Sequence, residues 1–167
     1  AASDVYKRQE IYAELLPFAK QHGVKIAAEN MWNFIGGKTS PAACSDEVSF
    51  REHLDAVNDD YFVACVDIGH AEMAGLDTSA EKMLVALGDK VQCLHIHDND
   101  RIHDSHQIPM NIDFAKVVNA LKKIDYKGDL TLEASSYLSS RGYADRESVF
   151  NGVKELYASV KKLKEMF

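Results

Sequence analysis

The 167-residue sequence predicts an α/β protein with a parallel sheet, organised as in a (β/α) barrel. Three observations support this. Four short apolar runs, "VKIAAEN", "YFVACVDIGH", "KVQCLHIHDND" and "DLTLEAS", alternate with helix-periodic segments. The runs are continuously apolar, the pattern of strands buried on both faces beneath covering helices. Each also ends in a side chain able to hold a metal: Glu29, Asp67, His95 and Glu133. In parallel α/β folds the active site lies at the carboxyl ends of the strands, so four consecutive βα units set these side chains around one mouth.

Taken in order, residues 10–22, "EIYAELLPFAKQH", place Ile11, Leu15 and Phe18 on one helical face. Pro17 is a point where that helix could kink or end, and Gly23 is a stop. The first strand follows in "VKIAAEN". A loop holding "GGKTSPAAC" leads to a helix over "DEVSFREHLDAVN", with its N-cap near Ser45. After the second strand, the helix "TSAEKMLVALG" stops at Gly88. The third strand is followed by a helix in "NIDFAKVVNALKKIDYKG", and the fourth by an amphipathic helix over residues 145–165. The first nine residues, "AASDVYKRQ", resemble a translated sequencing adapter. Residues 1–9 are therefore expected to be a non-native leader and residues 10–167 a single domain.

Composition narrows the function. An apolar fraction of 46% and a charged fraction of 27% belong to an ordinary globular domain, long enough to bury a core. No apolar run reaches the roughly 18–20 residues that span a bilayer, and no secretory segment is recognisable, so no membrane is expected as a partner and the cytoplasm is the expected compartment. The net charge of −7 argues against nucleic acid. Cys44, Cys65 and Cys93 are odd in number and lack CxxC spacing. With Cys65 and Cys93 inside apolar runs, they read as reduced core residues. "GGKTS" is reminiscent of a phosphate loop but lacks the GxxxxGK[ST] spacing.

The stretch "HIHDNDRIHDSH", residues 95–106, holds four histidines and three aspartates. Three carboxylates and one imidazole at the four strand ends make an oxygen-rich set. It suits Mn²⁺, Mg²⁺ or Co²⁺ better than a thiolate-type zinc site would. Singly, each residue has a structural explanation: a carboxylate after a strand is often a helix cap or ion-pair partner, and a lone histidine is more often structural than a ligand. Recurrence at four successive strand ends favours the metal.

These residues resemble those of the xylose-isomerase-like TIM barrels. That superfamily holds sugar (phosphate) isomerases and epimerases, with the endonuclease IV group as a more distant branch. The resemblance rests on Glu29 in "IAAENMWN", Asp67 in "VDIGHA", His95 in "LHIHDND" and Glu133 in "LTLEAS", which are 38, 28 and 38 residues apart, one βα unit per ligand. It runs from residue 10 nearly to the end but covers only the latter half of the family's barrel. The implied fold is thus a barrel fragment, about the last four βα units of a TIM barrel. Half a barrel has two open sheet edges and uncovered apolar surface, so homo-oligomerisation or aggregation is expected. "DIGH" matches the family's Asp-x-x-His pattern, implying that His70 contacts substrate or a second metal. "HIHD" resembles a His-x-Asn-Asp turn, which favours His95 over His97 as ligand, although His97 would face the same side of a strand. Arg101, six residues past His95, stands where the epimerases place a substrate-binding arginine; a solvated loop charge is the alternative. "DSH" resembles the Asp-x-His pair of the endonuclease IV branch, so Asp104 and His106 are candidates for a second metal or for orienting substrate. The following "IPMNIDF" lacks the glycine-containing turn the family often carries there.

The resemblance implies a divalent-metal-dependent isomerase or epimerase of a small sugar, sugar phosphate or related hydroxy-carbonyl compound. The ion, Mn²⁺ first and Mg²⁺, Co²⁺ or Zn²⁺ otherwise, would chelate adjacent substrate oxygens and stabilise an enediolate. Glu29 and Glu133 would be the acid/base pair as well as ligands, and Asp67 and His95 purely ligands. Trp32, in "MWNFIGG", would stack on a sugar face or pack in the core. Asp98 and Asn99 are expected to shape the turn by capping backbone amides, and His103 to lie on the loop surface. The alternatives are an inosose-type dehydratase of the same superfamily, an endonuclease IV-like multi-zinc phosphodiesterase, and an inactive fragment that merely retains its parent's ligands.

Overall fold

The computed structural model describes the backbone of residues 2–167 and the side chains of residues 10–167. Along the chain, α1 (Ala2–His22) leads to β1 (Ile26–Glu29), a hairpin of β2 (Trp32–Ile35) and β3 (Lys38–Pro41), and α2 (Glu47–Val57). Next come β4 (Phe62–Asp67), α3 (Ile68–Ala71), α4 (Ala80–Leu87) and β5 (Val91–Ile96). The chain finishes with α5 (Phe114–Lys123), β6 (Thr131–Leu132), α6 (Ser135–Ser139) and α7 (Arg146–Glu165). Strands β1, β4, β5 and β6 form one sheet in that order, and every neighbouring pair is parallel. This is the expected α/β architecture, a parallel barrel fragment.

The helices sit where the sequence supplies both a buried stripe and a cap. The Asp46 carboxylate accepts from the N–H groups of Val48 and Ser49, one residue later than the cap expected near Ser45. Ser79 caps α4, which stops at Gly88 with φ 56°. In α5, Phe114, Val117, Val118 and Leu121 are buried, an i, i+3, i+4, i+7 stripe. Asp145 and Ser148 form a capping box at the start of α7. Pro17 lies inside α1 without ending it. The side chains of the expected leader, residues 1–9, lie outside the described residues; the backbone of residues 2–9 continues α1.

On its helix-covered face the sheet contributes Ala28, Phe62, Ala64, Val66, Leu94 and Ile96 to one core with Phe50, Leu54, Met83, Leu84, Leu87 and Leu121. Each of the larger apolar side chains stabilises by about 1.5–3 kcal/mol when taken out of water, so this layer dominates the fold's stability. Strand alternation turns Glu29, Cys65, Asp67, Cys93 and His95 to the opposite face, the interior of a barrel. A bulge makes that alignment. Pairing steps from Ala64↔Val91 to Cys65↔Cys93, leaving Gln92 as an extra, exposed residue of β5. The extra residue shifts which side chains face inward, so Asp67 pairs with His95.

Three features depart from expectation. The loop holding "GGKTSPAAC" is largely the β2–β3 hairpin, turned by Gly36 and Gly37 at φ 58° and 77°, a conformation that glycine adopts at least cost. The fourth strand shrinks to Thr131–Leu132, although the Glu133 N–H still donates to the Ile96 carbonyl at 2.8 Å. Of the two cysteines read as core residues, Cys93 is only half-buried and, with Cys65, faces the barrel interior rather than the helices. No helix of the described residues is long and apolar enough to cross a membrane.

Candidate metal centre

Glu29 ends β1, Asp67 ends β4, His95 is the penultimate residue of β5, and Glu133 follows β6. One ligand atom from each lies within 4.8 Å of every other. The His95 Nδ1 sits between the two glutamates, 3.2 Å from Glu29 Oε1 and 2.8 Å from Glu133 Oε2. The sheet order explains this: Asp67 and His95 are on the central strands, and the glutamates flank them from the outer ones. Asp67 is fully buried, whereas His95, Glu29 and Glu133 keep side-chain exposures of 29%, 31% and 39%.

Asn30 was not a sequence candidate, yet it locks this arrangement. Its side chain accepts from the Asp67 N–H at 2.7 Å and donates to the Asp67 carbonyl at 2.9 Å, tying the ends of β1 and β4 together. Its own carbonyl lies 3.0 Å from His70 Nδ1. Only the position of an amide just past the first strand hinted at it.

A second group stands beside the first. Ligand atoms of His70, His97, Asp104 and His106 also lie within 4.8 Å of one another. His106 Nδ1 contacts the Glu133 carbonyl at 2.9 Å, as His70 Nδ1 does that of Asn30. With each Nδ1–H donated to a carbonyl, both Nε2 atoms are left to face Asp104, at 3.2 and 3.4 Å. Such locking of the tautomer through the far nitrogen is how ligating histidines are oriented. His97 is fully buried, its ring stacked on His106 at 4.1 Å between centroids. Its Nε2 is 2.9 Å from Asp67 Oδ1, off the direction along which a ring N–H would donate. Thus His95 joins the carboxylates and His97 the other imidazoles, because β5 ends at Ile96 and strand alternation no longer governs the next residue.

Electrostatics follow from this crowding. Burial lowers the basicity of His70, but the Asp104 hydrogen bond and the charges of Asp67 and Asp104 outweigh it and raise the pKa to about 9. His97 is raised in the same way, burial again opposing and Asp67 prevailing. For Asp104, burial raises the pKa, while His70 and the other two imidazoles bring it below the usual carboxylate range.

The fit to a cation can be judged from orphaned atoms. Asp67 Oδ2, Glu133 Oε2, Asp104 Oδ1 and both ring nitrogens of His97 are buried without a hydrogen-bond partner. Buried polar atoms are rarely left so, and a divalent ion in each group would satisfy those facing it. Three carboxylates with one imidazole fit a hard or borderline ion; three imidazoles with one carboxylate fit zinc-like nitrogen preference.

The remaining candidates have other partners. The Arg101 Nε donates to the Glu72 carbonyl at 3.1 Å, and the residue has φ 68°, held by its N–H on Asn99 Oδ1. Trp32 packs edge-on against Phe34 within the hairpin. His103 is exposed and pairs with Asp100. Asp98 Oδ2 accepts from the N–H groups of Met110, Asn111 and Ile112, so it shapes the loop over residues 98–112.

The sequence model of the xylose isomerase-like TIM barrel family matches residues 8–160. The uncharacterized protein MJ1311 of Methanocaldococcus jannaschii is 32% identical over 125 residues, 72% of this chain and 40% of its own length. Among solved structures, a D-tagatose 3-epimerase-like protein superposes with TM-score 0.68 at 23% identity, over 96% of this chain and 56% of its own. The D-allulose 3-epimerase of Methylomonas sp., solved with D-allulose, gives 0.66 at 22% over 99% and 55%. The D-psicose 3-epimerase of Clostridium cellulolyticum, solved with D-tagatose, gives 0.71 at 15% over 98% and 56%. At these identities the structural likeness speaks for the fold, and the chain spans about half the length of the solved proteins it matches. Parallel half barrel and matched family model together make the chain a member of the xylose isomerase-like TIM barrel family.

Proposed function

We propose that this chain carries the metal centre of a divalent-metal-dependent isomerase or epimerase acting on a small sugar, sugar phosphate or related hydroxy-carbonyl compound. The observation that supports it is the convergence of Glu29, Asp67, His95 and Glu133 within 4.8 Å, with carboxylate oxygens left unpartnered. These four residues would hold the ion, Mn²⁺ in the first instance. When bound, it supplies charge to polarise adjacent carbonyl and hydroxyl oxygens of the substrate and to stabilise the enediolate. Asp67, buried and doubly clamped by Asn30, fixes the position of the group. Glu29 and Glu133 approach from the two outer strands. One carboxylate removes the proton beside the carbonyl, and the other returns one to the opposite face or to the neighbouring carbon. His70, Asp104 and His106 hold a second ion or orient substrate hydroxyls, and Arg101 and Trp32 bound the substrate at the rim. The expected setting is the cytoplasm, where thiols stay reduced, with self-association through the open sheet edges.

The similar solved proteins named as 3-epimerases, two of them holding D-allulose or D-tagatose, support a ketose as substrate. A dehydratase would share the proton abstraction. The imidazole-rich group favours a second reading, an endonuclease IV-like multi-zinc phosphodiesterase, against which the net charge of −7 stands. Deuterium wash-in from heavy water into D-allulose or D-tagatose, with Mn²⁺ present, separates these. Exchange is expected, and Glu133→Gln should lower it by roughly 10²–10⁴-fold while weakening Mn²⁺ binding only partly. Full exchange in that variant, or exchange indifferent to chelators, would defeat the reading; cleavage of an abasic duplex without exchange would favour the phosphodiesterase.

A further inference from the structure

Next to the carboxylates, on the same inner face, two thiols meet. The extra residue Gln92 brings Cys93 opposite Cys65, just as it brings His95 opposite Asp67. Cys65 is buried, Cys93 half-buried, and neither is in a disulfide. The two sulfur atoms lie within 4.8 Å of each other. Ligand atoms of Cys65, Cys93 and His95 all lie within 4.8 Å of one another.

Two sulfurs and one nitrogen offer chemistry the carboxylate group lacks. An ion roughly 2.0–2.3 Å from each donor would hold the three atoms within that limit of one another. Cys₂His with a fourth position open is a tetrahedral zinc geometry, and thiolates select Zn²⁺ and softer ions over Mn²⁺ and Mg²⁺. We propose that Cys65, Cys93 and His95 form a thiophilic cation site, for Zn²⁺, Cd²⁺ or Cu⁺, that shares His95 with the oxygen-rich centre. As each sulfur–metal bond forms, the thiol releases its proton to solvent. Because His95 belongs to both groups, an ion held by the thiols withdraws it from the carboxylates, so a soft metal weakens Mn²⁺ binding. The thiol site itself stands whether or not the chain is an epimerase.

Cd²⁺ alone, titrated into the reduced, chelator-stripped full chain, tests this by thiolate-to-cadmium charge-transfer absorption in the ultraviolet. The band should saturate at one ion per chain and persist in Cys44→Ser. In Cys65→Ser and Cys93→Ser, Cd²⁺ affinity should fall by more than about 100-fold, the most that losing a mere supporting contact costs. Cd²⁺ should also protect Cys65 and Cys93 of the unmodified protein from alkylation, a readout independent of how the variants fold. Free Mn²⁺ followed by electron paramagnetic resonance should rise when Cd²⁺ is added to the unmodified protein and not to the double serine variant. No charge-transfer band, a band that survives loss of both thiols, or absence of alkylation protection overturns the site. Unchanged Mn²⁺ binding in Cd²⁺-loaded protein overturns the sharing of His95. Asp67→Asn, which removes a carboxylate but no thiol, should lower Mn²⁺ affinity and leave the Cd²⁺ band, so failure of the oxygen-rich centre is read separately.

Discussion

The two ligand-capable groups at the mouth differ in how the chain holds them. Glu29, Asp67, His95 and Glu133 come from the ends of four neighbouring strands, and their convergence is a matter of register. His70 lies on the short helix α3 and His97, Asp104 and His106 on the loop after β5; their convergence depends on hydrogen bonds to backbone carbonyls. The strand-end group is partly open to solvent, through His95, Glu29 and Glu133. The loop group is more enclosed and more easily disarranged. Asp67 joins them: Oδ1 accepts from the His70 N–H at 2.7 Å and contacts His97, while Oδ2 is unpartnered.

That shared residue gives the largest expected effect. Asp67→Ala should lower Mn²⁺ affinity and the affinity of the imidazole group together, since it removes a ligand from one and the anchor of the other. Leaving the His70 N–H and the Asn30 clamp in altered surroundings should also cost about 1–3 kcal/mol in denaturant unfolding. Loss of only one of the two metal affinities would mean that the groups are independent.

A smaller change breaks the loop group alone. A Cβ at Gly69 would lie 2.1 Å from His97 Cε1 and 2.4 Å from its Nδ1. The ring is fully buried and stacked, so it has no room to yield. Gly69→Ala should therefore destabilise by about 1–3 kcal/mol and displace His97. Zinc stoichiometry at the imidazole group should fall while Mn²⁺ at the strand ends stays, because the three atoms nearest the added carbon all belong to His97. Equal loss at both groups would contradict the division between register-held and loop-held ligands.

The division also explains what could be read in advance. Helix stops such as Gly88 and the apolar strand runs are local signals, so the βα order was legible. So was the placement of Glu29, Asp67, His95 and Glu133, since one such side chain recurs per βα unit. The β2–β3 hairpin was hidden because each strand is only four residues long, although the pair Gly36-Gly37 between "WNFI" and "KTSP" was a usable turn signal. His97 could not be separated from His95 by alternation: the bulge at Gln92 and the end of β5 at Ile96 are properties of pairing, not of local sequence. Asn30 was hidden for the same reason, its partner lying 37 residues away. The meeting of Cys65 with Cys93 likewise depends on one inserted residue in the ladder.

The gentlest test of the contrast is pH. In chelator, His70 has its pKa raised to about 9 from an ordinary 6.5, with burial outweighed by Asp104 and Asp67. The folded state thus binds this proton more tightly than the unfolded chain does. Its stabilising effect is complete below about pH 6.5 and fades as pH rises through about 9. His97 is shifted the same way, so the two slopes add. Urea midpoints should accordingly fall between pH 6.5 and 9 in the metal-stripped protein. Zinc should flatten or reverse that slope, because ligation requires neutral imidazoles and binding strengthens as protons leave. A midpoint independent of pH across this window without metal would show that Asp104 and Asp67 do not hold the imidazoles in their charged form. The loop group would then owe its arrangement to the carbonyl contacts at Asn30 and Glu133 alone.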